Sequence, residues 1–195
     1  MNLKNLGNSN LLVSSYCLGT MTYGETTEER DAHQQINACI DAGINFIDTA
    51  EMYPTCPIRK ETTGATEIII GNWINKNKSI RNKIVLATKV VGNGFKFIRD
   101  GGEINKKNIN LAINESLKKL RTDYIDLYQL HWPNRGSYHF RSYWDYNPIK
   151  LQENKIKDEV SEIVETLYAL KKEGVIREFG LSNETCWGAM KFIDE

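Results

Sequence analysis

At 195 residues the chain is long enough for one hydrophobic core, and 41% hydrophobic with 26% charged residues is an ordinary globular composition, which argues against disorder. Lysine plus arginine and aspartate plus glutamate each total 25, so no broad basic field exists to hold nucleic acid or an anionic membrane. The four cysteines, Cys17, Cys39, Cys56 and Cys186, form no Cys-x-x-Cys and no histidine stands at zinc-ligand spacing, so no metal site is expected.

The opening MNLKNLGNSN has no apolar leader, and no run approaches the ~18 apolar residues of a membrane span, so a reduced, cytoplasmic chain is expected. KNL and LLV flank the turn-like GNSN and predict a hairpin. SYCLGT follows as a short strand. From Glu28 to Ala42, Ala32, Ile36 and Ile40 share one helix face, and Gly43 provides a carboxyl-terminal stop. INFID is the second strand. A helix from about Ala65 carries Ile69 and Trp73 in step, and a polar KNKSIRN turn leads into the third strand, KIVLATK.

After a glycine-rich loop, Ile109, Ala112, Ile113, Ser116, Leu117 and Leu120 repeat at the spacing that buries one helix face. The flanking pairs Lys106-Lys107 and Lys118-Lys119 read as solvated helix faces. YIDLYQLH is strand four, in which Asp126 reads as structural, and a long aromatic loop runs from Trp132 to about Ile156. Val160, Ile163, Val164, Leu167 and Leu170 mark a fourth helix closed by Gly174, VIREFGLS is strand five, and ETCWGAMKFIDE lies in a fifth helix. Near-continuous apolar strands joined through helices predict an α/β fold with a parallel sheet, in a single domain over residues 1–195. No glycine-rich dinucleotide fingerprint follows the first strand and no P-loop lysine motif occurs.

Helix-to-strand connections are short, whereas strand-to-helix connections are long, which places chemistry at the strand carboxyl ends. Those ends carry Thr20, Asp48, Lys89, His131 and Ser182-Asn183. Singly, each has an ordinary structural explanation: Asp48 as a cap, Lys89 as the first solvated residue after a strand, His131 as a satisfied loop histidine. Together with Tyr53, in the stretch NFIDTAEMY, they form a set able to move a proton on a carbonyl or alcohol. An ammonium beside Tyr53 is expected to lower the phenol pKa from near ~10. A carboxylate would compensate and fix the lysine, and a histidine nitrogen would orient the carbonyl.

The segments LGTMTYG, GINFIDTAEMYP, IVLATKV, TDYIDLYQLHWP and GVIREFGLSNET resemble, in order, those of the aldo-keto reductase family, most closely its Tas-like subgroup. The resemblance implies a (β/α)8 TIM barrel, represented here by a hairpin and five βα units, with the catalytic tetrad on Asp48, Tyr53, Lys89 and His131. It implies hydride transfer between NADPH (or NADP+) and a small-molecule aldehyde or ketone, with Tyr53 as proton donor. It also implies cofactor contacts from the backbone around Gly19, Thr20 and Met21, the Asp48 carboxylate, and the side chains of Ser182 and Asn183, the last two at the carboxamide.

Tyr23 and Trp132 are expected to wall the substrate pocket, and Tyr138, Tyr143, Trp144 and Tyr146 to form a lid or a folded loop cluster. His33 and His139 read as surface residues. Barrels of this kind need roughly 250 residues. The segments that stack on the nicotinamide and bind the 2′-phosphate are not found in this sequence, so weak cofactor binding and slow turnover are expected of the chain by itself. A potassium-channel β-subunit-like binding role, or a non-catalytic fragment, is the alternative the same resemblance allows.

Overall fold

The computed structural model describes residues 2–140, 142–147 and 152–195. Strands β1 (Leu3–Asn5) and β2 (Leu12–Ser14) form the expected antiparallel hairpin, with Leu3 opposite Ser14, one residue out of step with the apolar runs that signalled it. The following strands are β3 (Cys17–Gly19), β4 (Phe46–Asp48), β5 (Val85–Val90), β6 (Ile125–Leu130) and β7 (Ile176–Leu181). They form one parallel sheet in chain order. A helix follows each strand: α1 (Glu29–Asp41), α2 (Ala65–Lys76), α3 (Lys106–Leu120), α4 (Glu153–Lys172) and α5 (Cys186–Asp194). This is a hairpin followed by five βα units of the (β/α)-barrel type.

Local chemistry explains the helix ends. Asn105 accepts a hydrogen bond from the Asn108 amide at 2.9 Å and Thr185 one from the Gly188 amide at 3.1 Å, so α3 and α5 start on side-chain caps. The polar stretch before β5 is a short 3-10 helix over Lys78–Lys83 rather than an open turn. α4 begins at Glu153, a few residues before the apolar periodicity becomes visible. Gly71 lets α2 and α3 touch: a Cβ there would lie 2.0 Å from the Lys119 carbonyl oxygen.

Register determines the two faces of the sheet. Side chains alternate along strands, and Leu18, Ile47 and Leu86 are in register, as are Tyr128 and Phe179. That face joins the main core beneath the helices, with Ile36, Ile70, Trp73, Ile113 and Leu167. On the other face, Asp48 stands opposite Ala87, and Lys89 opposite Gln129. The hairpin covers part of that second face: Leu11 and Val13 pack on Val85, with Leu6 and Phe46 beside them. Asn45 ties the hairpin down through the Ser14 amide at 2.7 Å and the Leu12 carbonyl at 2.9 Å.

Two surface readings change with packing. His33 hydrogen-bonds the Ile69 carbonyl at 2.9 Å and so bridges α1 and α2 rather than lying free. Lys118 pairs with Glu115 in solvent, but Lys119 turns inward to 3.8 Å from the buried Glu67 carboxylate. Among the described residues, no helix is long and apolar enough to cross a membrane.

Candidate active site

Four of the residues singled out from the sequence meet at the carboxyl ends of β4, β5 and β6. Asp48 is the last residue of β4, Lys89 the penultimate residue of β5, and His131 follows β6. Lys89 Nζ donates to Asp48 Oδ2 at 2.5 Å and to the Thr49 carbonyl at 2.8 Å. It lies 5.0 Å from the centroid of the Tyr53 ring, and that ring meets His131 edge-on at 5.6 Å. Lys89 is thus buried inside its strand at 5% exposure rather than solvated beyond it.

The turn after β4 carries Tyr53 to this position. Thr49 donates its amide to the Ala87 carbonyl at 2.9 Å and Glu51 donates its amide to the Lys89 carbonyl at 3.2 Å, continuing the β4–β5 pairing. The Tyr53 amide closes a turn on the Ala50 carbonyl at 3.1 Å, and its own carbonyl receives the Gly64 amide at 2.9 Å. Gly64 has φ +84 and precedes the first residue of α2, so its backbone conformation is one that a side chain would strain.

The electrostatics differ from expectation in one respect. Burial, and then the Asp48 carboxylate, push the Tyr53 phenol up to about 12 rather than down. Burial is the larger cause, and the Lys89 ammonium, which lies against Asp48, does not outweigh it. His131 is pushed down to about 3, by burial and then by the Lys89 charge, so its imidazole is neutral. Its Nδ1 is buried without a partner among the described residues.

The predicted cofactor positions are adjacent. Thr20 donates its amide and its hydroxyl to the Asp48 carbonyl, at 3.2 and 2.8 Å, while Gly19 and Met21 on either side are exposed. The Ser182 amide donates to the Leu130 carbonyl at 2.9 Å. Asn183, at φ 50, donates its amide nitrogen to the His131 carbonyl at 2.9 Å and to Ser182 Oγ at 3.0 Å, so its Oδ1 remains available.

Of the two expected pocket walls, only Trp132 stands at the site. It meets His131 at a tilt, 4.8 Å between ring centres, Phe95 at 6.0 Å and Phe140 at 5.6 Å, and donates Nε1 to the Asn93 carbonyl at 3.1 Å. Gly92 makes room for it, since a Cβ there would come 2.7 Å from the indole. Tyr23 lies instead in the main core at 1% exposure, because Thr66 captures its carbonyl at 2.7 Å and draws it under α2. Tyr143 and Trp144 stand out in solvent, 61% and 87% exposed, so neither covers the site, while Tyr138 stacks on His139 at 4.6 Å and meets Tyr146 at 6.2 Å.

Three participants are not evident from the sequence. Gln129 donates to Asp48 Oδ1 at 2.9 Å, so the carboxylate is held from both sides. The register signal that places it beside Lys89, two residues before His131 on the same strand, was available but unspecific. Glu51, two residues before Tyr53, and Arg99 form a second buried pair, at 2.5 and 2.6 Å, and an arginine in a loop 48 residues away carries no motif.

A sequence profile described as the Aldo/keto reductase family matches residues 16–194. The protein Tas of Escherichia coli (strain K12) is 43% identical, the match covering 99% of this chain and 55% of that protein. The protein named uncharacterized oxidoreductase YrpG of Bacillus subtilis (strain 168) is 33% identical, covering 95% of this chain and 50% of that protein. Among solved structures, the holo form of aldo-keto reductase AKR11C1 from Bacillus halodurans superposes with a TM-score of 0.67 at 36% identity, covering 94% of this chain and 50% of that one. The chain spans about half the length of the curated relatives it matches.

Proposed function

The chain belongs to the aldo/keto reductase family, and on that premise we propose that it reduces small aldehydes or ketones with NADPH, with Tyr53 as the proton donor. The observation that carries this reading is the quartet itself: a neutral histidine edge-on to a protonated tyrosine, beside a lysine whose charge is fixed by Asp48.

The residues present suit the cofactor. Asn183 Oδ1 is free to accept from a carboxamide, the Ser182 hydroxyl can donate to it, and the exposed backbone of Gly19 and Met21 leaves room along the same rim. When bound, NADPH supplies the hydride that reduces the carbonyl carbon. Tyr53 gives its proton to the carbonyl oxygen, a transfer that runs downhill because a developing alkoxide is far more basic than a phenolate. Lys89 has three N–H donors and uses two of them, so its remaining charge-assisted capacity steadies the phenolate left behind. His131, neutral over the working range, hydrogen-bonds the same carbonyl oxygen and aligns it with Tyr53. Trp132 forms the apolar side of the pocket. The free thiols of Cys17, Cys39, Cys56 and Cys186 favour the cytoplasm as its compartment.

The test is NADPH consumption with a panel of small aldehydes, with the alcohol product identified, for the chain and for Tyr53→Phe. A loss of about 10²- to 10⁴-fold in Tyr53→Phe is expected for removal of a general acid. Equal rates in the two would refute the assignment.

A further inference from the structure

We infer that Glu51 and Arg99 act as a latch that seats Tyr53, which makes them positioning residues for the reaction proposed above and rests on that reading. Glu51 precedes Tyr53 by two residues and is 5% exposed. Its backbone amide donates to the Lys89 carbonyl at 3.2 Å and its Oε1 accepts the Val91 amide at 2.6 Å, so one residue grips the β5 end on both sides of Val90. Arg99 then closes on the same carboxylate through both terminal nitrogens, at 2.5 and 2.6 Å, and reaches the Val91 carbonyl at 3.4 Å.

The loop that carries Arg99 is bent to deliver it. Arg99 and Asp100 have φ 45 and 56, successive left-handed conformations that non-glycine residues disfavour. The same loop places Ile98 against Met52 and Val91, and Tyr53, Phe95 and Trp132 pack on that block. The latch therefore joins three things, the Tyr53 turn, the end of β5 and the loop after β5, through the Met52, Val91 and Ile98 block on which Tyr53 packs.

A role in stability alone does not account for this arrangement. A buried ion pair contributes little net stability compared with apolar side chains of the same volume, because both charges must leave water. Here the Arg99 Nε is buried without a partner among the described residues, which raises that cost further. What a bidentate guanidinium–carboxylate pair provides is direction, since both groups are planar and meet in one geometry. That direction fixes Glu51, and through it a chain segment two residues from Tyr53.

The test uses 3-fluorotyrosine incorporated at the nine tyrosines, with the Tyr53 resonance assigned by its loss in Tyr53→Phe. The double variant Glu51→Met/Arg99→Met removes both charges and preserves volume but leaves the buried Val91 amide without its acceptor, so its melting temperature should fall only modestly. Its Tyr53 fluorine resonance should shift toward those of the exposed tyrosines and narrow, and the reduction rate at saturating substrate should fall about tenfold with KM for NADPH unchanged. A folded double variant with an unmoved Tyr53 resonance overturns the inference. If the double variant does not fold, Arg99→Lys, which keeps the charge but loses the second hydrogen bond, decides by the same resonance. A parent that reduces no carbonyl refutes the proposed function, while the fluorine shift, which needs neither cofactor nor substrate, still decides the latch.

Discussion

Two carboxylates in the same sheet, fully buried Asp126 near the start of β6 and half-buried Asp48 at the end of β4, are both paired with cations, yet only one stands in the candidate site. Asp126 is fully buried; Arg177 reaches its Oδ1 at 2.7 Å, and Arg81 and the Leu86 amide reach its Oδ2 at 2.8 and 3.0 Å. Arg81 is equally occupied, donating to Thr122 and the Tyr124 carbonyl and lying 3.9 Å over the Tyr124 ring. Asp126 and Arg81 are both filled by these bonds and shut off from a ligand, and of the three charged groups Arg177 alone is open to solvent among the described residues. Around Asp48 the carboxylate is held by Lys89 and Gln129, but a lysine donor, a histidine nitrogen and a phenol remain uncommitted. Charge pairing alone does not mark a site. Unused hydrogen-bonding capacity beside the pair does.

That contrast can be broken by exchanging what each centre loses. Lys89→Met should lower carbonyl reduction by about a hundred- to a thousandfold, because Tyr53 loses the charge that steadies its conjugate base. The melting temperature should fall only modestly, since Asp48 is partly exposed and keeps Gln129. If Lys89→Met unfolds the chain while its residual folded fraction turns over normally, the two centres are alike after all.

Asp126→Leu should do the reverse. It leaves two guanidinium groups facing an apolar side chain, at a cost of about 3–5 kcal/mol measured by urea unfolding, with turnover per folded molecule unchanged. A comparable effect, and one specific to the candidate site, is expected from pH. His131 titrates at about 3 in the folded chain against 6.5 when free. The unfolded chain therefore binds more protons between those values, and stability falls as pH is lowered from 6.5 toward 3. Replacing His131 with Gln should flatten that slope; an unchanged slope assigns the acid sensitivity elsewhere. The smallest effect belongs to Gln129→Leu, which frees one oxygen of Asp48. A loss of about 1 kcal/mol in stability and a severalfold lower reduction rate are expected, by thermal melts and initial rates.

How much of this was legible in the sequence depends on the range of the interaction. α1 to α4 follow from apolar spacing, which is local, and their cores at Ile36, Ile109, Ile113 and Leu167 sit where the periodicity places them. Strand cores were legible but their ends were not, because pairing with a distant neighbour sets where a strand stops: β4 has three residues, not five. The convergence of Asp48, Tyr53, Lys89 and His131 could be read because each occupies a strand end or the turn after it. Gln129 and the Glu51–Arg99 pair could not, since each matters only through a partner 81 or 48 residues away. Tyr23 misled for the opposite reason. It lies near a strand end, but Thr66 holds its backbone and turns the ring into the core. The direction of the Tyr53 shift also escaped, because the sequence shows that a lysine is present and not how deeply the phenol is buried or that Asp48 stands beside the ammonium.

The central claim is that Tyr53 delivers the proton to a carbonyl whose carbon receives hydride from NADPH. Reduction of a small aldehyde with NADPH deuterated at the transferring C4 position, in ordinary water, measures this directly by mass spectrometry of the alcohol. One deuterium on the carbinol carbon, with product formation lost in Tyr53→Phe, is the predicted result. An alcohol without deuterium on that carbon, or the same labelled product formed at parental rate by Tyr53→Phe, would contradict it.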